Sequence, residues 1–89
     1  MDKLKEIYLQ VIIQCIRDIA SKDSKKYQDA IAWVVSKDFI EVCSMVNIQP
    51  NVIRKSLIGL LNSKDKKKLS EDIISSISAL VWQRENLNW

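Results

Sequence analysis

Eighty-nine residues, 47% hydrophobic and 28% charged with a net charge of +3, describe one small globular domain rather than a disordered chain. A single glycine and a single proline are too few for a turn-rich sheet protein, so composition points to an all-α domain with short connections. The chain has no histidine and two cysteines, and no apolar run approaches the roughly 18 residues of a membrane span, which argues against histidine-based catalysis, a structural zinc site and a membrane protein.

The N-terminal MDKLKEIYLQVIIQC has interleaved acids and no small-residue cleavage site, so it reads as a helix and not as a signal peptide; a cytoplasmic location is expected. The first helix is expected over residues 3–20, capped by Asp2. Its helical period collects Leu4, Ile7, Tyr8, Val11, Ile12, Cys15, Ile16 and Ile19, and Leu9 and Ile13 widen the stripe. A helix this apolar is expected to be central, or covered in part by a second copy of the chain.

SKDSKK at 21–26 breaks the pattern. Ser24 is the expected cap of a second helix over 25–35, with Tyr27, Ala30, Ile31 and Val34 inward and Trp33 at the edge of that face. Ser36 is the expected cap of a third helix over 37–46, with Asp38 in its first turn and Phe39, Val42, Cys43 and Val46 inward. Asn47-Ile48-Gln49 makes a turn, since Asn tolerates the left-handed conformation that ends many helices. Pro50 suits the first position of a fourth helix over 50–61, where its missing N–H costs nothing. Ile53, Leu57, Leu60 and Leu61 form its inner face; Asn51, Arg54, Lys55 and Ile58 lie on the other side. Gly59, with Ser56 and Val52, is read as room for another backbone to come close. Residues 62–68, NSKDKKK, read as a basic loop. A fifth helix is expected over 71–85, capped by Ser70, with Ile73, Ile74, Ile77, Leu80 and Val81 inward and Trp82 and Arg84 in the same period. Leu87 and Trp89 close the tail.

The stretch 37–61 has the spacing of a helix-turn-helix, whose second helix can enter the DNA major groove. Cys43 takes the small position of the first helix, Asn47 the turn, Ile48 the apolar position after it and Ile53 the packing anchor. Gln49, Pro50, Asn51, Arg54 and Lys55 are then expected to point outward. Asn and Gln can read adenine edges, and Arg can read guanine or hold phosphate. Charge is uneven in the same region. Residues 1–46 carry seven basic and seven acidic side chains, residues 47–68 six basic against one acidic, and residues 69–89 one basic against three acidic. Lys64, Lys66, Lys67 and Lys68, with Lys55, are therefore expected to hold the phosphate backbone. The bland alternative for the same lysines is a solvated loop, and for the same helices a plain helical hairpin.

The segment DAIAWVVSKDFIEVCSMVNIQPNVIRKSL also resembles a group of small phage-associated helix-turn-helix proteins of alphaproteobacteria. Asp29, Ala30, Trp33, Ser36, Asp38, Phe39, Val42, Cys43 and Pro50 carry the resemblance, with Arg54 and Leu57 following. It covers about a third of the chain. What the resemblance implies is a DNA-binding helical domain of a phage or prophage-like element, with regulation of a gene-transfer agent as one form of it.

An enzyme is not expected. Gly59 alone cannot make a phosphate-binding glycine loop, and Cys15 and Cys43 lie on inward helical faces as reduced thiols. No cofactor or metal is expected. The sequence thus predicts a compact five-helix domain that binds DNA in transcription control, with a homodimer suited to two half-sites. The rival expectation is a helical protein-interaction module, an adaptor or inhibitor anchored by Trp33, Trp82 and Trp89.

Overall fold

In the computed structural model the described backbone runs over residues 3–87 and the described side chains over residues 3–83. The expected cap Asp2, the side chains of Arg84 and Leu87, and Trp89 lie outside them. Five helices are present among the described residues, in the order α1 (Lys3–Ile19), α2 (Ser24–Val34), α3 (Lys37–Met45), α4 (Pro50–Leu61) and α5 (Lys66–Leu87). There is no strand among them, and the fold is all-α as the composition requires.

α1 packs against each of the other four helices and is the axis of the core. Its buried face is Leu9, Ile12, Ile13, Cys15, Ile16 and Ile19. This face is rotated from the expected one: Leu4, Ile7 and Val11 are 48%, 56% and 42% exposed. α1 is apolar over so much of its circumference that the period alone allows several inward directions, and packing against four neighbours selects one of them. The remaining core comes from Ala30 and Val34 of α2, Phe39 and Cys43 of α3, Val46 and Ile48 of the turn after it, Ile53, Leu57 and Leu60 of α4, and Ile73, Ile74, Ile77 and Val81 of α5. Fully buried side chains such as Phe39, Ile12, Ile16 and Ile53 each contribute about 1.5–3 kcal/mol of transfer free energy.

The helix starts follow capping chemistry, with two shifts from the expected positions. Asp23, not Ser24, caps α2: its Oδ1 accepts from the backbone N–H of Lys25 at 3.0 Å and of Lys26 at 3.3 Å. Ser36 caps α3 as expected, accepting from the Phe39 N–H at 3.4 Å and donating to the Trp33 carbonyl at 2.6 Å. α5 begins at Lys66, five residues before the expected start at residue 71. The Asp65 carboxylate accepts from the Lys68 N–H at 3.1 Å, and its carbonyl accepts from Leu69 at 3.2 Å. Ser70, the expected cap, is buried in the second turn and donates to the Lys67 carbonyl at 2.7 Å. Aspartate caps well and lysine is a good helix former, so the polar run extends the helix instead of interrupting it. The basic loop is thereby shortened to residues 62–65.

Candidate nucleic-acid interface

The connection from α3 to α4 is built by the backbone around one left-handed residue. Asn47 has φ 58°, a conformation that asparagine tolerates better than most residues. The Ile48 N–H donates to the Cys43 carbonyl at 3.0 Å, and the Asn47 N–H to the Ser44 carbonyl at 3.1 Å. This pair of bonds is the Schellman arrangement, and the apolar residue after it, Ile48, is buried as that arrangement favours. Gln49 then runs extended into Pro50 and makes no side-chain capping bond. The positive end of the α4 dipole is thus left to solvent or to an anion.

Gln49, Asn51 and Lys55 are exposed. At about 100° per residue, Asn51, Val52, Lys55, Ile58 and Gly59 share the outward side of α4. Lys64, Lys67 and Lys68 are exposed and Lys66 is half-buried. Lys66, Lys67 and Lys68 stand on the first turn of α5, which contains no acidic residue, and α5 packs against α4. Glu71, one turn further along, is 3.7 Å from Arg17 of α1, in a pair more than half exposed on both sides.

Arg54 is not on the outward face. Its Nε and Nη2 both donate to the Val34 carbonyl, at 3.2 and 2.8 Å. Its guanidinium carbon lies 5.1 Å from the centroid of the Phe39 ring, and Trp33 meets that ring edge-on at 5.3 Å. The physical reason is the end of α2. A carbonyl in the last turn has no helical N–H to accept from, and a cation there complements the negative end of the helix dipole. Arg54 supplies both and joins α4 to α2 and α3. Its position beside Ile53, at the margin of the buried face, is the one sequence signal of this role.

Gly59 also differs from expectation. A Cβ placed there would meet nothing within 4 Å beyond its own stretch of helix, so no other backbone among the described residues closes on that side. Glycine inside an exposed helix costs about 1 kcal/mol relative to alanine. Gly59→Ala should therefore raise the free energy of unfolding by up to about 1 kcal/mol in urea titrations. No gain in stability would show that the glycine is needed by the backbone.

Both cysteines are free and buried. Burial, then Asp18 and Cys43, push the Cys15 thiol up to about 12. Burial raises Cys43 to about 11 against the pull of the Arg54 charge. Among the described residues no group of three or more His, Cys, Asp or Glu side chains could hold a metal ion, and no helix is long and apolar enough to cross a membrane. Of the three tryptophans, Trp33 is half-buried against Phe39 and Trp82 is 52% exposed, while Trp89 lies outside the described residues.

The comparisons with known proteins place no relative beside this chain: no family model matches it, and no curated protein and no solved structure gives a significant match.

Proposed function

We propose that the chain is a DNA-binding protein in which α3 and α4 act as a helix-turn-helix and the α5 lysines hold the phosphate backbone. The observation that carries this reading is the first turn of α5. Lys66, Lys67 and Lys68 stand where a helix favours acids, and the Asp65 carboxylate at the cap precedes three cations in a row. Each misplaced cation near a helix start costs about 0.3–1 kcal/mol at low salt. A phosphate ligand reverses the sign of that cost, because it neutralises the lysines and faces the helix dipole together. Lys55 adds a cation on the exposed side of α4, and Gln49 and Asn51 at the uncapped start of that helix supply amides that can read adenine. Arg54 is left out of the base-reading set because its donors are engaged at Val34.

A role in transcription control of a phage-like element rests on the resemblance of the segment 29–57 alone. The structure gives several residues of that pattern packing roles: Ser36 caps, Phe39, Cys43 and Leu57 are buried, Pro50 opens α4 and Arg54 ties the helices together. They specify how α2, α3 and α4 fit, and a target sequence does not follow from them.

The test is a salt series of binding to mixed-sequence duplex DNA, read by fluorescence anisotropy. Five phosphate contacts, from Lys55, Lys64, Lys66, Lys67 and Lys68, predict that log Kobs falls linearly with log salt with a slope of about −4.5. Absence of binding at about 50 mM salt would refute the reading, since non-specific affinity is strongest there.

A further inference from the structure

On α1 and α3 lies a surface of the opposite character. An open groove of about 700 Å³ runs beside these helices, with Val11 from α1, Trp33 from α2, and Ile40, Val42 and Met45 from α3 among its lining. Val11, Ile40 and Met45 are 42%, 46% and 41% exposed, and Ile7 extends the apolar surface along α1 at 56%. Apolar side chains grouped this way mark an interaction site more often than isolated exposed ones do.

The charged residues lining the groove are Asp38 and Glu41; the exposed Lys37, next to Asp38 in the chain and one turn before Glu41 on α3, is outside the lining. Asp38 has a reason within the fold, since it sits in the first turn of α3. Glu41 lies in the middle of the helix, is exposed, and forms no ion pair among the described residues. The chain carries a net charge of +3, yet the charged residues that line this groove are both carboxylates.

We propose that this groove docks an amphipathic helix of another protein, apolar on the seated face and bearing Lys or Arg along its edges. A trough beside two helices accepts a third in the manner of helix-in-groove recognition, with alternate anchors on one face. Trp33 and Met45 suit such a seat: tryptophan is enriched at binding hot spots, and methionine adapts its shape to the anchor. The carboxylates then give orientation and discrimination rather than bulk affinity. Charge complementarity selects a basic partner over a second copy of the chain, because two copies meeting across a two-fold axis through this face would set Asp38 and Glu41 against their own kind. It also selects against DNA.

The probe is a synthetic Leu/Lys amphipathic helix of about 18 residues, long enough to hold helical structure, with a Leu/Glu helix of the same apolar face as its counterpart. Each is titrated into the isotope-labelled full chain, with backbone amide shifts followed by NMR. The Leu/Lys helix should shift residues 7–11 and 38–45 in a saturable way, despite the overall positive charge of the chain. The Leu/Glu helix should bind there about tenfold more weakly, and Glu41→Lys should weaken the Leu/Lys helix about threefold to fivefold. Val11→Asp, at an exposed position, should abolish the shifts while leaving the circular dichroism unchanged. Equal affinity for both helices, or shifts that fall elsewhere, would overturn the proposal. So would sedimentation showing a dimer of the chain alone that Val11→Asp dissociates, since the groove would then be filled by a second copy.

Discussion

Changing Lys64, Lys66, Lys67 and Lys68 together to glutamine is expected to remove most DNA affinity while making the fold slightly more stable. Each phosphate contact adds about −0.9 to the salt slope, so the variant should keep a slope near −1 from Lys55. Between about 50 and 200 mM salt, the parent then loses about 10²–10³ in affinity and the variant only about threefold to fourfold. Stability should move the other way. Lys66, Lys67 and Lys68 stand in an α5 first turn without an acid, and neutral glutamine removes their conflict with the helix dipole, worth about 1 kcal/mol in total. Glutamine keeps the helix propensity of lysine, so the opposing helical cost is limited to the i,i+4 attraction of Lys67 to Glu71 and of Lys68 to Asp72, about 0.2 kcal/mol each in this less favourable orientation. Anisotropy titrations and urea unfolding of the same preparation check both halves. A variant that binds DNA as the parent does, with an unchanged slope, would show that these lysines are only a solvated surface.

Arg54→Ala is expected to act on the fold and not on the salt slope. The substitution removes two N–H···O bonds to the Val34 carbonyl, at 3.2 and 2.8 Å, and a guanidinium packed over Phe39. A hydrogen bond to a charged group contributes about 1.5–3 kcal/mol, and the half-buried ring contact adds a fraction of a kcal/mol to that. A loss of about 2–3 kcal/mol lowers the melting temperature of a domain this size by roughly 10–20 °C. Arg54→Lys should recover less than half of it, because an ammonium lacks the planar fork that places two donors on one carbonyl while the group packs over an aromatic ring. At a temperature where the Arg54→Ala variant is folded, its DNA salt slope should match that of the parent. An outward Arg54 would give the reverse pattern: stability within about 0.5 kcal/mol of the parent and a slope smaller by about one.

How much of this was legible in the sequence differs from element to element. α3 and α4 were readable because their signals are local. Ser36 caps, Asn47 turns left-handed, Pro50 opens the next helix, and Phe39, Cys43, Ile53, Leu57 and Leu60 keep the helical period. The inward face of α1 was not readable, since Leu4, Ile7 and Val11 are as apolar as the residues that became buried. Hydrophobicity alone gives such a helix no preferred rotation. The start of α5 was missed because NSKDKKK looks like a loop by composition, whereas Asp65 three residues before Lys68 is a capping geometry. Arg54 was assigned by residue type. The decisive fact, a terminal carbonyl of α2 twenty residues earlier that needs a donor, is a tertiary contact. Of the expected contact set, Gln49, Asn51, Lys55, Lys64, Lys67 and Lys68 are exposed, and Lys66 is half-buried. The acidic groove escaped the charge count because two carboxylates in a segment of balanced charge carry no signal until α1 and α3 are brought together.

The most direct test of the proposed interface is a map of the backbone amides that shift when a short duplex is titrated into the labelled chain at about 50 mM salt, where phosphate contacts are strongest. Saturable shifts are expected at residues 49–55 and 63–69, fading as salt rises, with residues 7–11 and 38–45 unmoved. Shifts confined to the groove between α1 and α3, or none at all, would contradict the proposed interface.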